Sequence, residues 1–100
     1  MAYQKKKRQN NRSLEKRFNY HVKRSFAPRK HGLKIGDPKH SYSSGFVDAF
    51  SNDDENYYSE IKAEYGKRSA KSYSLGFSRA RKAQKEYSKK MGRPFHTEDY

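Results

Sequence analysis

Ser41-Tyr42-Ser43-Ser44-Gly45-Phe46-Val47-Asp48-Ala49 returns at an offset of 31 residues as Ser72-Tyr73-Ser74-Leu75-Gly76-Phe77-Ser78-Arg79-Ala80. Tyr, Gly, Phe and Ala recur in register, so the chain carries an internal repeat. Within each copy Tyr, Gly or Phe, and Ala fall at three- and four-residue steps, the spacing of one helix face. A glycine in a helix interior costs about 1 kcal/mol relative to alanine. Its position in the middle of both copies therefore needs a reason. Glycine lets a second backbone come close. The repeat predicts a pseudo-twofold pair of helices crossing where Gly45 meets Gly76, framed by Tyr42, Phe46 and Ala49 on one side and Tyr73, Phe77 and Ala80 on the other. The competing reading is that each glycine marks a kink.

Outward from the repeat, the apolar pattern is helical throughout. Asp37 and Pro38 suit the cap and first position of the helix that contains the first copy, about 38–50. Ser51 and the acids Asp53, Asp54 and Glu55 suit the start of another, 53–65, with Tyr57 or Tyr58, Ile61 and Tyr65 facing inward. Gly66 suits a left-handed helix end. The second copy lies on a helix of about 69–90, with Ser69 as a cap, and Met91-Gly92-Arg93-Pro94 stops it. Upstream, Leu14, Phe18, Val22 and Phe26 repeat every fourth residue and predict a helix over 13–26, ended by Ala27-Pro28. No segment alternates with period two for long enough to form a strand. The expected fold is all-α, a small bundle of three to four helices. A basic, disordered arm (1–12) precedes the helical domain (13–92), and a short tail (93–100) follows it.

Composition restrains the core. Of 100 residues, 31% are hydrophobic and the net charge is +13. Such a balance lies toward the disordered side of ordinary globular chains. Nine tyrosines and six phenylalanines offset it, since aromatic rings bury large apolar faces. With no cysteine, disulfides, thiol catalysis and cysteine-held zinc are excluded. His21, His31, His40 and His96 lack paired ligand spacing, so no metal, cofactor or catalytic site is expected. No apolar run reaches the ~18 residues of a membrane span, and a soluble, cytoplasmic protein is the expectation.

The charge is segregated. Residues 1–35 carry 12 Lys/Arg against one acid, 36–66 two against seven, and 67–100 ten against three. Basic blocks of this kind suit a polyanion, because neutralising phosphates releases condensed counterions. The candidate RNA-binding residues are Lys5, Lys6, Lys7, Arg8 and Arg12 in the arm, Arg17, Lys23 and Arg24 on the first helix, and Arg29 and Lys30 in the loop after it. Arg79, Arg81, Lys82, Lys85 and Lys89 add a second block on the last helix. The acidic middle would repel RNA, which implies a two-sided molecule, or else it pairs with the chain's own lysines.

The two copies of aromatic, two residues, Gly, aromatic, behind a Lys/Arg-rich start resemble the bacterial ribosome modulation factor family. The matching positions are Tyr42, Gly45 and Phe46, then Tyr73, Gly76 and Phe77, with Lys6-Lys7-Arg8-Gln9 similar to the family's basic start. This chain is longer, spaces its motifs further apart, lacks the family's Pro-Tyr between them and has Tyr and Phe where the family favours tryptophan in the second motif. The resemblance covers about residues 37–82. It implies a small basic helical hairpin that binds rRNA of the small ribosomal subunit near the anti-Shine–Dalgarno end and promotes inactive ribosome dimers, here as a divergent or phage-encoded relative. Ribosomal or other host proteins are the other expected partners. Two alternatives stand beside this one: a protein-directed inhibitor or adaptor using the acidic 48–64 segment or the basic faces, and a nonspecific DNA-binding protein.

Overall fold

The computed structural model describes residues 13–51 and 57–95. They form four α-helices, α1 (Leu14–Phe26), α2 (Pro38–Asp48), α3 (Tyr58–Tyr65) and α4 (Lys67–Met91), with a 3₁₀ turn at Pro28–His31, and no strand among the described residues. The α2–α4 pair is the centre of the bundle; α1 lies against α2, and α3 against α4. The expected disordered arm, the acids Asp53 to Glu55 and the end of the tail lie outside the described residues.

The repeat makes the central contact. A methyl group built on Gly45 would overlap the carbonyl oxygen of Tyr73 and stand 3.1 Å from the Phe77 nitrogen; one built on Gly76 would overlap the carbonyl oxygen of Tyr42 and stand 3.1 Å from the Phe46 nitrogen. Each glycine thus faces the Tyr carbonyl and Phe amide of the other copy, the pseudo-twofold arrangement that the repeat predicts. Side-chain-free Cα–H groups pointing at carbonyl oxygens recur where helices approach closely. Beside the crossing, Leu14, Phe46, Ala49, Phe77, Ala80 and Ala83 form the buried core, with Tyr42, Phe50, Tyr87 and Phe95 half-buried against it. Small alanines next to large rings let the two helices stay close without voids.

Polar contacts position the outer helices. The Ser13 hydroxyl accepts from the Lys16 amide at 3.3 Å, capping α1. His21 Nδ1 lies 2.8 Å from the Ser43 hydroxyl, Ser25 and Ser44 hydroxyls are 3.0 Å apart, and the His21 ring stacks 4.3 Å from Phe46. His40 spans two segments: its Nδ1 accepts from the Gly36 amide at 3.0 Å, so its Nε2–H donates to the Ser25 carbonyl at 2.9 Å. On the other side the buried Tyr73 hydroxyl donates to the Asp48 carboxylate and receives the Tyr57 amide. Gln84 donates to the Ala49 carbonyl at 3.2 Å.

Several local expectations are corrected. Phe26 is 78% exposed, not the end of a buried stripe. Four-residue steps advance 400°, a drift of about 40° each, so Phe26 sits roughly 120° around the helix from Leu14. Ser69 caps nothing: α4 begins two residues earlier, and the buried Ser69 hydroxyl donates to the Gly36 carbonyl at 2.6 Å. Asp37 precedes α2 without a side-chain cap, leaving Pro38 as the start signal. Gly66, at φ 101° and ψ 169°, separates α3 from α4 in an extended, positive-φ conformation rather than the left-handed helical one. Of the expected inward residues of α3, Tyr58 and Ile61 are half-buried and the Tyr65 ring lies over Gly36, but none is fully buried, and Tyr57 is exposed just before the helix.

Candidate nucleic-acid interface

The core side of α4 fixes what its other side displays. With Tyr73, Gly76, Phe77, Ala80 and Ala83 turned to the bundle, steps of about 100° per residue carry Lys67, Lys71, Lys82, Lys85 and Lys89 to the opposite side, within an arc of roughly 60°. All five are exposed. From Lys71 to Lys89 the row runs about 27 Å along a rigid helix at 1.5 Å per residue. Lys67 and Lys71 were outside the expected set; they stand in phase with Lys82, Lys85 and Lys89, and that phase was the signal. Arg79 is also exposed, to one side of the row.

The arginines behave differently from the lysines. The Arg81 guanidinium lies 5.2 Å from the Phe77 ring centroid, Arg17 5.3 Å from Phe46, and Arg24 4.9 Å from Tyr20. All three side chains are half-buried, covering apolar surface with their stems while the charge rests on an aromatic face. Arg17 and Arg81 therefore help cover the core rings Phe46 and Phe77, whereas Arg24 rests on the exposed Tyr20. Lys23 on α1 and Arg29 and Lys30 on the 3₁₀ turn are exposed. Lys5, Lys6, Lys7, Arg8 and Arg12 lie outside the described residues.

A second feature was not expected from the sequence. Tyr20, His21 and Arg24 of α1 and Pro38, Lys39 and Tyr42 of α2 line an open cleft of about 500 Å³. The Nε atom of Arg24, one of its lining residues, is shut off from solvent with no acceptor among the described residues. One aromatic–cation pair at helical spacing, Tyr20 with Arg24, is the sequence trace of this cleft. It also breaks the symmetry of the repeat. Tyr73 is sealed by Asp48 and Tyr57, whereas its counterpart Tyr42 is half-buried at the rim of a cationic cleft.

The fold and surface define a basic all-α bundle with a lysine row and a cation-lined aromatic cleft. No group of three or more His, Asp or Glu residues able to hold a metal occurs among the described residues, and no helix there is long and apolar enough to cross a membrane. No protein-family model, curated protein or solved structure matches the chain.

Proposed function

We propose that the protein is an RNA-binding protein that associates with rRNA of the small ribosomal subunit in the cytoplasm and modulates or inhibits translation. The observation that carries RNA binding is the lysine row of α4. Five exposed ammonium groups share one helix face, held by a core that needs none of them. Such a row suits a phosphate backbone, where affinity comes from counterion release and not from base identity. The Tyr20–Tyr42 cleft adds what an unpaired base needs, an aromatic face beside a cation. The ribosomal target rests on the resemblance of Tyr42-Gly45-Phe46 and Tyr73-Gly76-Phe77 to the ribosome modulation factor family.

The RNA reading is tested by titrating a fluorescent rRNA fragment at several salt concentrations. Affinity should fall steeply between ~50 and ~200 mM salt, and Lys82→Glu with Lys85→Glu should flatten that dependence by about one phosphate contact per residue. Salt-insensitive binding would remove the reading. The target is tested by sedimenting lysate from expressing cells through sucrose: the protein should travel with small subunits or ribosome dimers. A position only at the top of the gradient refutes ribosome association.

A further inference from the structure

Among the described residues seven large hydrophobic side chains are exposed, and four of them, Phe26 (78%), Ile35 (55%), Tyr57 (49%) and Tyr65 (42%), line one cleft between the end of α1, the loop before α2, and α3. Its volume is about 400 Å³, and Val47 and Ile61 add to its apolar floor. Exposed hydrophobes scattered singly need no explanation, but a contiguous group marks a contact surface. The backbone beneath is built for the group: Gly36, at φ 86°, lies under the Tyr65 ring, where a side chain would collide with it.

The charge of this cleft is opposite to that of the molecule. Among the described residues no Lys or Arg lines it, whereas Asp48, Glu60 and Glu64 do. Asp48 accepts the Tyr73 hydroxyl. Glu60 and Glu64 are exposed on successive turns of α3 and pair with no cation among the described residues. Tyr57, Ile61 and these two glutamates follow three- and four-residue steps, so apolar and acidic groups share one side of α3. The carboxylates of such a surface repel RNA phosphates, and no Lys or Arg among the described residues lines it to offset them.

We infer that this cleft is a docking site for a short basic segment of a partner protein, one that inserts a large apolar side chain among Phe26, Ile35 and Ile61 while its lysines or arginines meet Glu60 and Glu64. The protein would then hold RNA on the lysine row and a basic polypeptide on the α3 side. Because the two ligands have opposite demands, each face rejects the other's ligand.

The test uses the full chain and fluorescein-labelled peptides of Lys, Leu and Ala, with two controls: Leu replaced by Ser, and Lys replaced by Glu. The Lys/Leu peptide should bind more tightly than either control, and its amide chemical-shift changes should gather at Ile35, Gly36, Val47, Ile61 and Tyr65. Glu60→Gln with Glu64→Gln, both on the surface, should weaken it about five- to tenfold and leave rRNA binding unchanged. Binding of the rRNA fragment, measured in parallel, separates failure of this site from failure of the RNA reading. The inference is overturned if the acidic peptide binds equally well, if the shifts map elsewhere, if the two Gln substitutions have no effect, or if sedimentation shows a homodimer that buries the cleft.

Discussion

Gly45→Ala and Gly76→Ala test the central crossing, because helix propensity and packing predict opposite signs. Alanine is the better helix former by about 1 kcal/mol, so without the crossing each change should stabilise the protein. At the crossing, the new methyl on residue 45 overlaps the Tyr73 oxygen and lies 2.8 Å from its carbonyl carbon, and the one on residue 76 overlaps the Tyr42 oxygen and lies 3.0 Å from its carbon. These neighbours are main-chain atoms of a helix, so no rotamer change relieves them. The helices must separate by roughly 1.5 Å before contacts near 3.5 Å return, opening gaps around Phe46, Ala49, Phe77 and Ala80. Overpacking in a well-filled core costs about 1–3 kcal/mol. Taking the upper end, for a backbone that yields poorly, and subtracting the propensity gain leaves a loss of about 2 kcal/mol, or about 8–16 °C in Tm for a domain of this size. Both methyl groups force the same separation, so the double variant should lose clearly less than the two single losses combined, a coupling of about 0.5–3 kcal/mol. Thermal melts followed by far-ultraviolet circular dichroism measure all four proteins. A single variant as stable as the parent, or strict additivity in the double, refutes the shared crossing.

Other positions give independent outcomes. Tyr73→Phe removes the hydroxyl held by Asp48 and the Tyr57 amide, and urea unfolding should show a loss of about 1.5–3 kcal/mol, as for hydrogen bonds to charged groups. Gly66→Ala meets open space but a positive-φ backbone, so it should cost about 1–3 kcal/mol through conformation alone, with amide hydrogen exchange quickening first in α3. Phe95 stands 5.4 Å from the Phe50 ring and 5.2 Å from Tyr87; Phe95→Ala should destabilise by about 2 kcal/mol, below the 3–5 kcal/mol of a fully buried Phe, and a neutral result would show that the segment after α4 is not part of the core.

The sequence made the crossing readable because two of its signals disagreed. A helical apolar pattern and a helix-disfavouring glycine coincide twice, and close backbone approach reconciles them. The lysine row was partly readable from Lys82, Lys85 and Lys89, and the phase of Lys71 completes it. What stayed hidden depends on partners far along the chain. Ser69 looks like a cap because serines often are caps, yet its acceptor is the Gly36 carbonyl, 33 residues away. Phe26 continues a four-residue rhythm on paper and drifts off the face in three dimensions. The arginines at 17, 24 and 81 read as phosphate ligands from charge alone, and only the fold shows the rings on which they rest. The acidic segment was legible as charge, but its apolar companions Phe26 and Ile35 come from a different part of the chain.

The gap between α2 and α4 is measured out by main-chain atoms on both sides, Gly45 against Tyr73 and Gly76 against Tyr42. The lysine side chains on the far face of α4 take no part in setting it. The outward residues of α4 can therefore be exchanged in bulk, lysines for other groups, without retuning how the helices sit. For an evolving lineage or a protein engineer, this crossing is a chassis on which recognition can be rewritten while the scaffold stays fixed.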